Sequence, residues 1–595
     1  MNSKNSGKRM PLKPNKMSFL RPDNRIYDGT KQARPSGMAT LHFPGNIKSH
    51  VLPVLIIFIV AFAAYFNTLS SGFVYDDTEE VLENQWIRDV NNIPDIISNN
   101  AMGFMGKDST SNYYRPAIHL IFMFNYHVFG LKPWGFHLIN ILFHASVSAL
   151  VFIIASKLLG TSSNTSRTKE EGLAGSVLSP PFIGAFLFAV HPVHTEAVAW
   201  VAALPDIAYT LFALLSLFFH IKFNEGTKGM YPLSLASFSL AVFCKEPALT
   251  LPIILAAYDS IFEKSADGYL PLLKRYIPYL LVAGVYLGLR FHALGGFSPQ
   301  KPNIELSAGG YLINVFPLFI KYLEYLVLPL NLNAFHVLRP VHSLLEPTAI
   351  AALIATAAFI IIIFISFRKN SRVCFSLLVI VLPLLPPLYI AAVGENVFAE
   401  RYLYLPSVGF VLLAATTLSW ARSVKPELAS GLIIISIAAA GVYSIGTVGR
   451  NTVWKDDLTL FADMVTKSPD AATPHNNLGD LYLKQNRLDE AEHEFIAALK
   501  LKPSFAMAHN NLGYAYLKQY RLDEAVNEFT IALKLYPGYA EAHNNLGAAY
   551  LYQNRFDEAR NEFNIVLEVT PNNPIAGMLV ELCNEKMKEF EQQPL

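Results

Sequence analysis

The sequence predicts an all-α protein in two parts: a membrane region of about eleven helical spans and a solenoid of short helices. Two observations predict this fold class. Of the 595 residues, 52% are hydrophobic and only 16% are charged, whereas soluble proteins carry about 25% charged residues. After residue 450, similar polar segments recur at one fixed spacing, which is typical of a helical repeat array.

The first 49 residues predict a disordered, basic, cytoplasmic tail. They hold ten Lys and Arg against two Asp and are rich in Pro, Ser and Asn, a composition that buries too little apolar surface to fold. The net charge of the whole chain is only +1, so nucleic acid is not an expected partner. The three cysteines lie far apart and form no metal or disulfide pattern.

Residues 50–449 predict the transmembrane domain, because a membrane helix needs about 20 mainly apolar residues. Eleven runs approach this length, near 51–70, 136–158, 181–199, 204–222, 230–245, 246–262, 276–294, 347–367, 373–393, 402–421 and 430–448. The apolar segment 311–330 carries Lys321 and Glu324 on one helical face. We therefore expect it to be an interfacial helix rather than a span.

The basic loops predict the orientation in the lipid bilayer. Lys and Arg concentrate in alternate loops, for example at Lys222 and Lys228 and again at Arg368 and Lys369. Cytoplasmic loops carry such an excess. With the basic tail inside, eleven spans place the acidic loop 71–117 and the C-terminal region outside. The sequence thus predicts a multi-pass protein with a cytoplasmic N-terminus and an extracytoplasmic repeat domain.

A repeat of 34 residues follows the last predicted span. The segments HNNLGDLY, HNNLGYAY and HNNLGAAY begin at 475, 509 and 543, and each precedes Asp-Glu-Ala, Phe and Pro at constant offsets. This is the tetratricopeptide signature. Within a domain over 450–595, it predicts a half repeat at 453–470, full repeats at about 472–505, 506–539 and 540–573, and a capping helix at 574–592.

Paired asparagines recur on the first helix of every full repeat. A side-chain amide offers a donor and an acceptor together, so Asn477, Asn511 and Asn545 are predicted to hold an extended polypeptide in the concave groove. The alternative is that these amides only serve the packing of the repeats.

Ionisable residues collect at the membrane boundary on the predicted outer side. They are Asp76, Asp77, Arg115, His191, His194, Glu196, Asp206, Lys245, Glu246, Arg290, Glu400 and Arg401. Ionisable groups at membrane depth are costly and mark function by default. We expect them to form a single outward-facing site.

Such a site suits a lipid-phosphate sugar donor, whose phosphate lies at headgroup depth. Arg290 and Arg401 would bind the phosphate bidentately. An acceptor hydroxyl must lose its proton as it attacks the sugar, and Asp76 or Asp77 is placed to act as the general base. The histidines of HPVHTEAV would orient the sugar or the phosphate.

Each of these groups also has a simpler interpretation. The acidic pair could begin a solvated loop, and the two arginines could be interfacial anchors. Lys245 and Glu246 could form a structural ion pair. His191, His194 and Glu196 could ligate zinc, but no further ligand is evident. The sequence therefore identifies no certain cofactor, and a divalent metal stays possible but unsupported.

Five segments carry a resemblance to a known family. They read GFVYDDTEEVLENQWI, YYRPAIHLIFMFNYHVFGLKPWGFHLINILFHA, HPVHTEAVAWVAALPDI, CKEPALTLP and AERYLYLPSVGF. In this order, and followed by tetratricopeptide repeats, they resemble the transmembrane and tetratricopeptide-repeat O-mannosyltransferase family of C-type glycosyltransferases. The resemblance covers the chain from about residue 50 onwards.

The resemblance implies the C-type glycosyltransferase fold with eleven spans and a polyprenyl-phosphate sugar donor. The acidic pair would hold the catalytic base, with Asp76 as the base and Asp77 as its support. The AER segment maps onto Ala399–Arg401, which implies a donor-phosphate role for Arg401 and, more weakly, for Arg290. The repeats would dock the acceptor polypeptide.

We therefore expect an inverting transfer of a hexose, mannose by the resemblance, to a hydroxyl of an extracytoplasmic protein. Only three full repeats are present, fewer than in eukaryotic members, which favours a prokaryotic homologue in the plasma (inner) membrane. Two alternatives stay open. One is transfer onto a lipid or a surface polysaccharide, and the other is an inactive scaffold that displays repeats for the assembly of envelope complexes.

Overall fold

The fold is seen in a computed structural model that describes residues 48–106, 111–160, 178–263, 269–296, 306–389, 397–571 and 573–591. Within these ranges the regular elements are helices, and there is no β-strand. One isolated backbone bridge pairs His336 with Phe398. The predicted all-α class is confirmed. The predicted basic tail lies outside the described residues, except for its last two.

The region before residue 452 holds fifteen α-helices in the described ranges. They are α1 (Lys48–Ala64), α2 (Ile93–Ser98), α3 (Pro116–Phe129), α4 (Pro133–Leu158), α5 (Pro180–Ala189), α6 (Thr195–Ala199), α7 (Leu204–Asn224), α8 (Met230–Cys244), α9 (Leu251–Phe262), α10 (Tyr269–Leu294), α11 (Ala308–Val327), α12 (Pro347–Lys369), α13 (Ser371–Val381), α14 (Tyr404–Val424) and α15 (Pro426–Asn451). Several begin with proline in the first turn, where the missing N–H costs no helical hydrogen bond.

Six helical segments of the described chain are long and apolar enough to cross a membrane. They are Pro133–Leu158, Val201–Asn224, Lys274–Leu294, Pro347–Lys369, Glu400–Val424 and Pro426–Trp454. A further candidate is the pair Pro180–Ala189 and Pro192–Ala199, which is bent by 45° at its break. The chain is therefore a membrane protein.

The predicted count of eleven spans is not confirmed. The runs near 51–70, 230–245 and 373–393 form shorter apolar helices. The run near 246–262 is a 3₁₀ turn followed by the 12 residues of α9. Prolines at 247 and 252 start each of these two pieces, and proline cannot continue a preceding helix. Hydropathy alone therefore predicted a single span where the backbone forms two separate helical pieces.

Burial separates core helices from lipid-facing ones. In Val201–Asn224, 78% of the most apolar window is buried inside the protein, against 11% in Pro347–Lys369 and in Pro426–Trp454. The exposed side chains of these two helices are large and apolar, as at Ile361 and Ile434. A contiguous apolar surface of this kind marks a membrane contact, so α12 and α15 lie at the lipid boundary.

The segment predicted to be interfacial forms α11. Its buried side chains Leu318, Tyr322 and Leu326 pack on the chain at Val397 and Phe398. The helix α11 is not among the described segments that are long and apolar enough to cross a membrane. Its placement in the membrane interface stays a prediction.

Eight helices follow α15. They are α16 (Asp457–Lys467), α17 (Ala472–Lys484), α18 (Leu488–Leu501), α19 (Ala506–Lys518), α20 (Leu522–Leu535), α21 (Ala540–Tyr552), α22 (Phe556–Val569) and α23 (Pro574–Glu591). Each Leu-Gly of the repeat lies against the Phe of the next helix, in the pairs Gly479–Phe495, Gly513–Phe529 and Gly547–Phe563. A Cβ on these glycines would lie 2.7 or 2.8 Å from the ring, so close packing requires the glycine.

A His–Glu link joins the two helices of each repeat. The pairs His475–Glu494, His509–Glu528 and His543–Glu562 each bring Nδ1 to 2.6 Å from a carboxylate oxygen. The other ring nitrogen lies 2.9–3.2 Å from a proline carbonyl. Both partners accept hydrogen bonds, so the full geometry requires the doubly protonated ring. The hydrogen bond to Glu494 raises the pKa of His475 above its usual value.

The helix α16 docks directly on loops that connect the helices of the membrane region. Trp454, just before α16, stacks on Trp200 with ring centroids 5.6 Å apart. Leu460 and Met464 of α16 share one buried cluster with Phe335. We call α16, with the turn that precedes it, the half repeat (453–470). Its packing places the repeat array beside the acidic loop after α1.

Candidate active site

The acidic loop runs from the end of a 3₁₀ turn at Ser70 to a π-helical turn at Thr78–Leu82. Gly72 N–H donates to the carbonyl of Lys455, 2.9 Å away, in the half repeat. Tyr75 has a φ of 55°, a left-handed conformation that is an outlier for a bulky side chain. Strained backbone of this kind persists only where surrounding contacts hold it.

Asp77 fixes this loop through its carboxylate. One oxygen accepts from Val74 N–H at 3.0 Å, and the other accepts from Ala202 N–H at 2.7 Å. The side chain is fully buried, and burial raises the pKa of its carboxyl. Both oxygens are therefore committed to the backbone. The structure gives Asp77 a loop-holding role and no free oxygen for proton transfer.

Asp76 does not share these backbone partners. Its side chain is half-buried, and in the described part of the chain no group donates a hydrogen bond to its carboxylate. Burial raises the pKa of this carboxyl to about 6, an effect that Arg401 opposes and Glu79 reinforces. A carboxylate that is desolvated, unbonded and close to an arginine is suited to accept a proton.

Arg401 lies at the start of the Glu400–Val424 segment and is held by Glu196. Its guanidinium and its backbone N–H both bond the Glu196 carboxylate, the latter at 2.9 Å. The guanidinium also lies over the rings of Trp200 and Tyr402, with centroids 5.2 and 5.1 Å away. One fifth of the Arg401 side chain stays exposed. The predicted site residues Glu196 and Arg401 are thus brought together.

Two further carboxylates form ion pairs at the ends of the helices. Lys245 Nζ lies 2.6 and 2.5 Å from the two carboxylate oxygens of Asp206, which opens α7. Glu246 binds Arg115 at 3.3 Å and Arg290 at 3.2 Å. Lys245 and Glu246 therefore do not form the ion pair that their adjacency suggested, and each reaches a different helix.

Glu80 links these pairs to Asp76, and sequence reasoning missed it. It lies within electrostatic reach of Asp76, Arg115 and Arg401, and burial raises its pKa to about 8. The one available signal was its position four residues after Asp76, which puts both carboxylates on one helical face. We call Asp76, Glu80 and the ion pairs of Arg115, Glu196, Asp206, Lys245, Glu246, Arg290 and Arg401 the outer cluster.

His191 and His194 do not join the outer cluster. His191 Nε2 lies 3.1 Å from the carbonyl of Leu326, and His194 Nε2 lies 2.8 Å from Ser407 Oγ. Both are fully buried, and their rings lie 5.6 Å apart between centroids. Both rings bond groups inside the helical core, so the expected contact with sugar or phosphate is not supported by their position.

Glu400 also points away from its neighbour Arg401. Its carboxylate accepts from Asn333 N–H at 2.5 Å and lies 3.1 Å from His336 Nε2. With 1% of its surface exposed, it holds the chain segment after α11. Its predicted donor-binding role is replaced by a structural one.

The repeat asparagines form a ladder between neighbouring repeats. Asn511 Nδ2 donates to Asn476 Oδ1 at 3.2 Å, and Asn545 Nδ2 donates to Asn510 Oδ1 at 3.0 Å. Two of the three predicted clamp residues thus serve repeat packing. Asn477, on α17, is half-buried and has no hydrogen-bond partner within the described ranges.

The described residues contain no group of three or more His, Cys, Asp and Glu side chains that is arranged to hold a metal ion. The ion pairs explain this arrangement, because each carboxylate of the outer cluster except Asp76 and Glu80 is bonded to a basic side chain. A cation would have to displace those partners.

Comparison with known proteins identifies the relatives of this chain. Tetratricopeptide repeat models match residues 476–540 and 516–583. Protein O-mannosyl-transferase F38B6.6 of Caenorhabditis elegans is 28% identical over 462 residues, which are 76% of this chain and 63% of that protein. Protein O-mannosyl-transferase TMTC3 of Homo sapiens is 27% identical over 486 residues, 75% of this chain and 51% of that protein.

Its relatives are protein O-mannosyl-transferases. The resemblance stated from the sequence motifs is confirmed by these matches. The chain spans 51–63% of the length of the curated relatives it matches first. The solved first tetratricopeptide domain of human RPAP3 is 25% identical with a TM-score of 0.21, and the match covers 21% of this chain and 99% of that domain.

Proposed function

We propose that the protein is a membrane glycosyltransferase that moves a hexose, mannose as in the names of its relatives, from a polyprenyl-phosphate donor to a hydroxyl of an extracytoplasmic polypeptide. The observation that carries the proposal is the Asp76 carboxylate. It is half-buried, has no hydrogen-bond donor among the described residues, and lies within the field of Arg401. Its position near the partly exposed guanidinium of Arg401, at the end of a membrane helix, fits a base next to a phosphate site.

In this reaction Asp76 accepts the proton of the acceptor hydroxyl as the hydroxyl oxygen attacks the anomeric carbon. A new carbon–oxygen bond forms, and the bond from the anomeric carbon to the phosphate oxygen breaks. The polyprenyl phosphate leaves with the electron pair. Attack opposite the leaving phosphate inverts the anomeric configuration. A pKa raised to about 6 makes Asp76 a stronger base than an ordinary carboxylate while it stays ionised at neutral pH.

The basic side chains of the outer cluster support a phosphate ligand. Four of them are bonded to three carboxylates, so the ion pairs alone carry one positive charge in excess. An ionised Asp76 offsets this charge, so phosphate binding depends on the basic groups that stay accessible. Arg401 is the best-placed contact, because its guanidinium is partly exposed and acts on Asp76. Arg115 and Arg290 share the single carboxylate of Glu246 and supply further donors.

The repeats support a polypeptide acceptor. The half repeat contacts the acidic loop directly, so the groove of the array begins next to Asp76. Asn477 lies on the first full repeat and has no hydrogen-bond partner among the described residues. Its amide would bind the backbone of the acceptor through a donor and an acceptor. We assign the first acceptor contact to Asn477 rather than to Asn511 or Asn545.

The alternating basic loops support the sidedness. We place the N-terminus in the cytoplasm, and the outer cluster and the repeats on the opposite face of the plasma membrane of a prokaryote. All three native cysteines are buried, so a cysteine at the exposed Glu585 would report the side of the repeats. It should react with an impermeant thiol reagent in intact cells. Labelling only after lysis would reverse the orientation.

Purified protein in lipid vesicles, with radiolabelled polyprenyl-phosphate mannose and a Ser/Thr-rich peptide, tests the activity. Asp76→Asn should lower transfer by at least about 100-fold, the usual range for a lost general base. Glu79→Gln, on the same turn but exposed, is the matched control and should keep transfer. Label found in lipid or polysaccharide would show that this molecule, and not a polypeptide, is the acceptor. No transfer by the wild type in any of these forms would favour the scaffold.

A further inference from the structure

The conformation of Tyr75 decides where Asp76 points. With a φ of 55°, Tyr75 turns the chain at the residue directly before Asp76. Beyond the turn, Asp77 folds back onto Val74 N–H, whereas the Asp76 carboxylate accepts no hydrogen bond within the described residues and lies within the field of Arg401. An aromatic residue does not adopt this conformation by preference, so other contacts must hold it.

The holding contacts come from the half repeat. Tyr75 N–H donates to Asp457 Oδ1 at 2.8 Å, although 382 positions separate the two residues in sequence. The Tyr75 ring meets Phe461 edge to face, with centroids 6.0 Å apart. Gly72 N–H donates to the Lys455 carbonyl at 2.9 Å. On the other side, Trp200 lies 5.6 Å from the same ring.

Asp457 is not needed to cap its own helix. Asp456 is the N-cap of α16, and its carboxylate accepts from Thr459 N–H at 2.9 Å in a capping box. The Asp457 carboxylate, one residue later, reaches out to the acidic loop instead. Two adjacent aspartates thus separate two functions, since one starts the helix and the other bonds Tyr75.

We propose that Asp457 is a positioning residue for Asp76, so that docking of the half repeat on the membrane region sets the activity of the site. The inference rests on the proposed function. It assigns to the repeat region a role in aligning the base, in addition to any role in holding the acceptor.

The test uses three variants of the full-length protein in lipid vesicles. Asp457→Ala removes the acceptor of the Tyr75 N–H and should lower kcat about 10- to 100-fold, the loss expected for a small misplacement of a reacting group. KM for the lipid donor should change less than about twofold. Asp457→Asn keeps an acceptor oxygen and should restore most of kcat. Asp456→Ala weakens the same helix and should keep kcat within about twofold.

Hydrogen exchange of the Tyr75 amide gives a second readout that does not require activity. Exchange should be faster in Asp457→Ala and unchanged in Asp456→Ala. Equal losses of kcat in both variants would reduce the effect to helix stability and overturn the inference. So would wild-type kcat and exchange in Asp457→Ala. Transfer that survives Asp76→Asn would instead reject the proposed base, while slow exchange of Tyr75 would still report the bond to Asp457.

Discussion

Replacing Asp76 with Asn is expected to stabilise the protein while it abolishes transfer. In the described structure the Asp76 carboxylate is half-buried and receives no hydrogen bond. Burial raises the pKa of this carboxyl from 3.8 to about 6, although Arg401 favours the charged form. Folding therefore works against the charge that the reaction needs. Asn has nearly the same size and no charge, so it removes this conflict.

The sign and size follow from the pKa shift. The folded protein binds the Asp76 proton more tightly than the unfolded chain, so this group lowers stability progressively as the pH rises from about 3.8 to about 6. A shift of about two pH units corresponds to about 3 kcal/mol. Because the side chain keeps some contact with water, we expect a gain of about 1–3 kcal/mol for Asp76→Asn at pH 7.5 and little gain at pH 4.

Thermal unfolding in detergent, followed by tryptophan fluorescence, measures this gain. The midpoint of Asp76→Asn should exceed that of the wild type by roughly 1–2 °C at pH 7.5, and the difference should shrink towards pH 4. Glu79→Gln removes an exposed charge from the same turn. Because Glu79 only adds to the raised pKa of Asp76, this variant should raise the midpoint by less than Asp76→Asn does. An equal or lower midpoint for Asp76→Asn at pH 7.5 would refute the desolvation of Asp76 and the reasoning for a raised pKa.

Three further outcomes are expected. The kcat/KM of transfer should fall about tenfold per pH unit below about 6, because Asp76 becomes protonated; a flat profile from pH 7 to 5 would exclude it as the base. Gly513→Ala should lower the stability of the repeats by about 1–3 kcal/mol, because the new Cβ would lie 2.8 Å from the Phe529 ring. Gly577→Ala is the control and should cause no loss, because no atom lies within 4 Å of its new Cβ. The His475 link should stabilise the array fully below pH about 6.5 and be lost as the pH rises through the raised pKa; hydrogen exchange at pH 6 and 8 should show this, and His475→Gln should remove the dependence.

The repeat helices could be predicted because their determinants are local. One 34-residue period encodes the helices and also the Gly–Phe contact between them, as at Gly513 and Phe529. The membrane region was harder. Apolar runs show where a helix is soluble in lipid, but not where prolines such as Pro247 and Pro252 start a new helix. The all-helical class therefore followed from composition, and the number of spans did not.

Apart from Glu80, the residues of the outer cluster could be predicted from the sequence, but the directions of their side chains could not. Arg401 meets Glu196, and Arg290 meets Glu246, although the sequence predicted neither pairing. Adjacent residues in a turn point to different sides, however, and the sequence does not state which of two neighbours faces the site. Glu400 was grouped with Arg401 for this reason, yet it bonds the Asn333 backbone.

Two carboxylates, those of Asp457 and Glu400, connect the two sides of the site to the half repeat. Asp457 bonds the Tyr75 N–H next to Asp76. Glu400, next to Arg401, accepts from Asn333, whose side chain donates to Ser468 Oγ at 2.8 Å in the half repeat. Asp76, the proposed base, and Arg401, the proposed phosphate-binding residue, each follow a residue that is hydrogen-bonded, directly or through Asn333, to the half repeat. Since these hydrogen bonds break when the half repeat moves, movement of the repeat array would displace both groups together, which gives the array a physical means to change transfer without touching the donor.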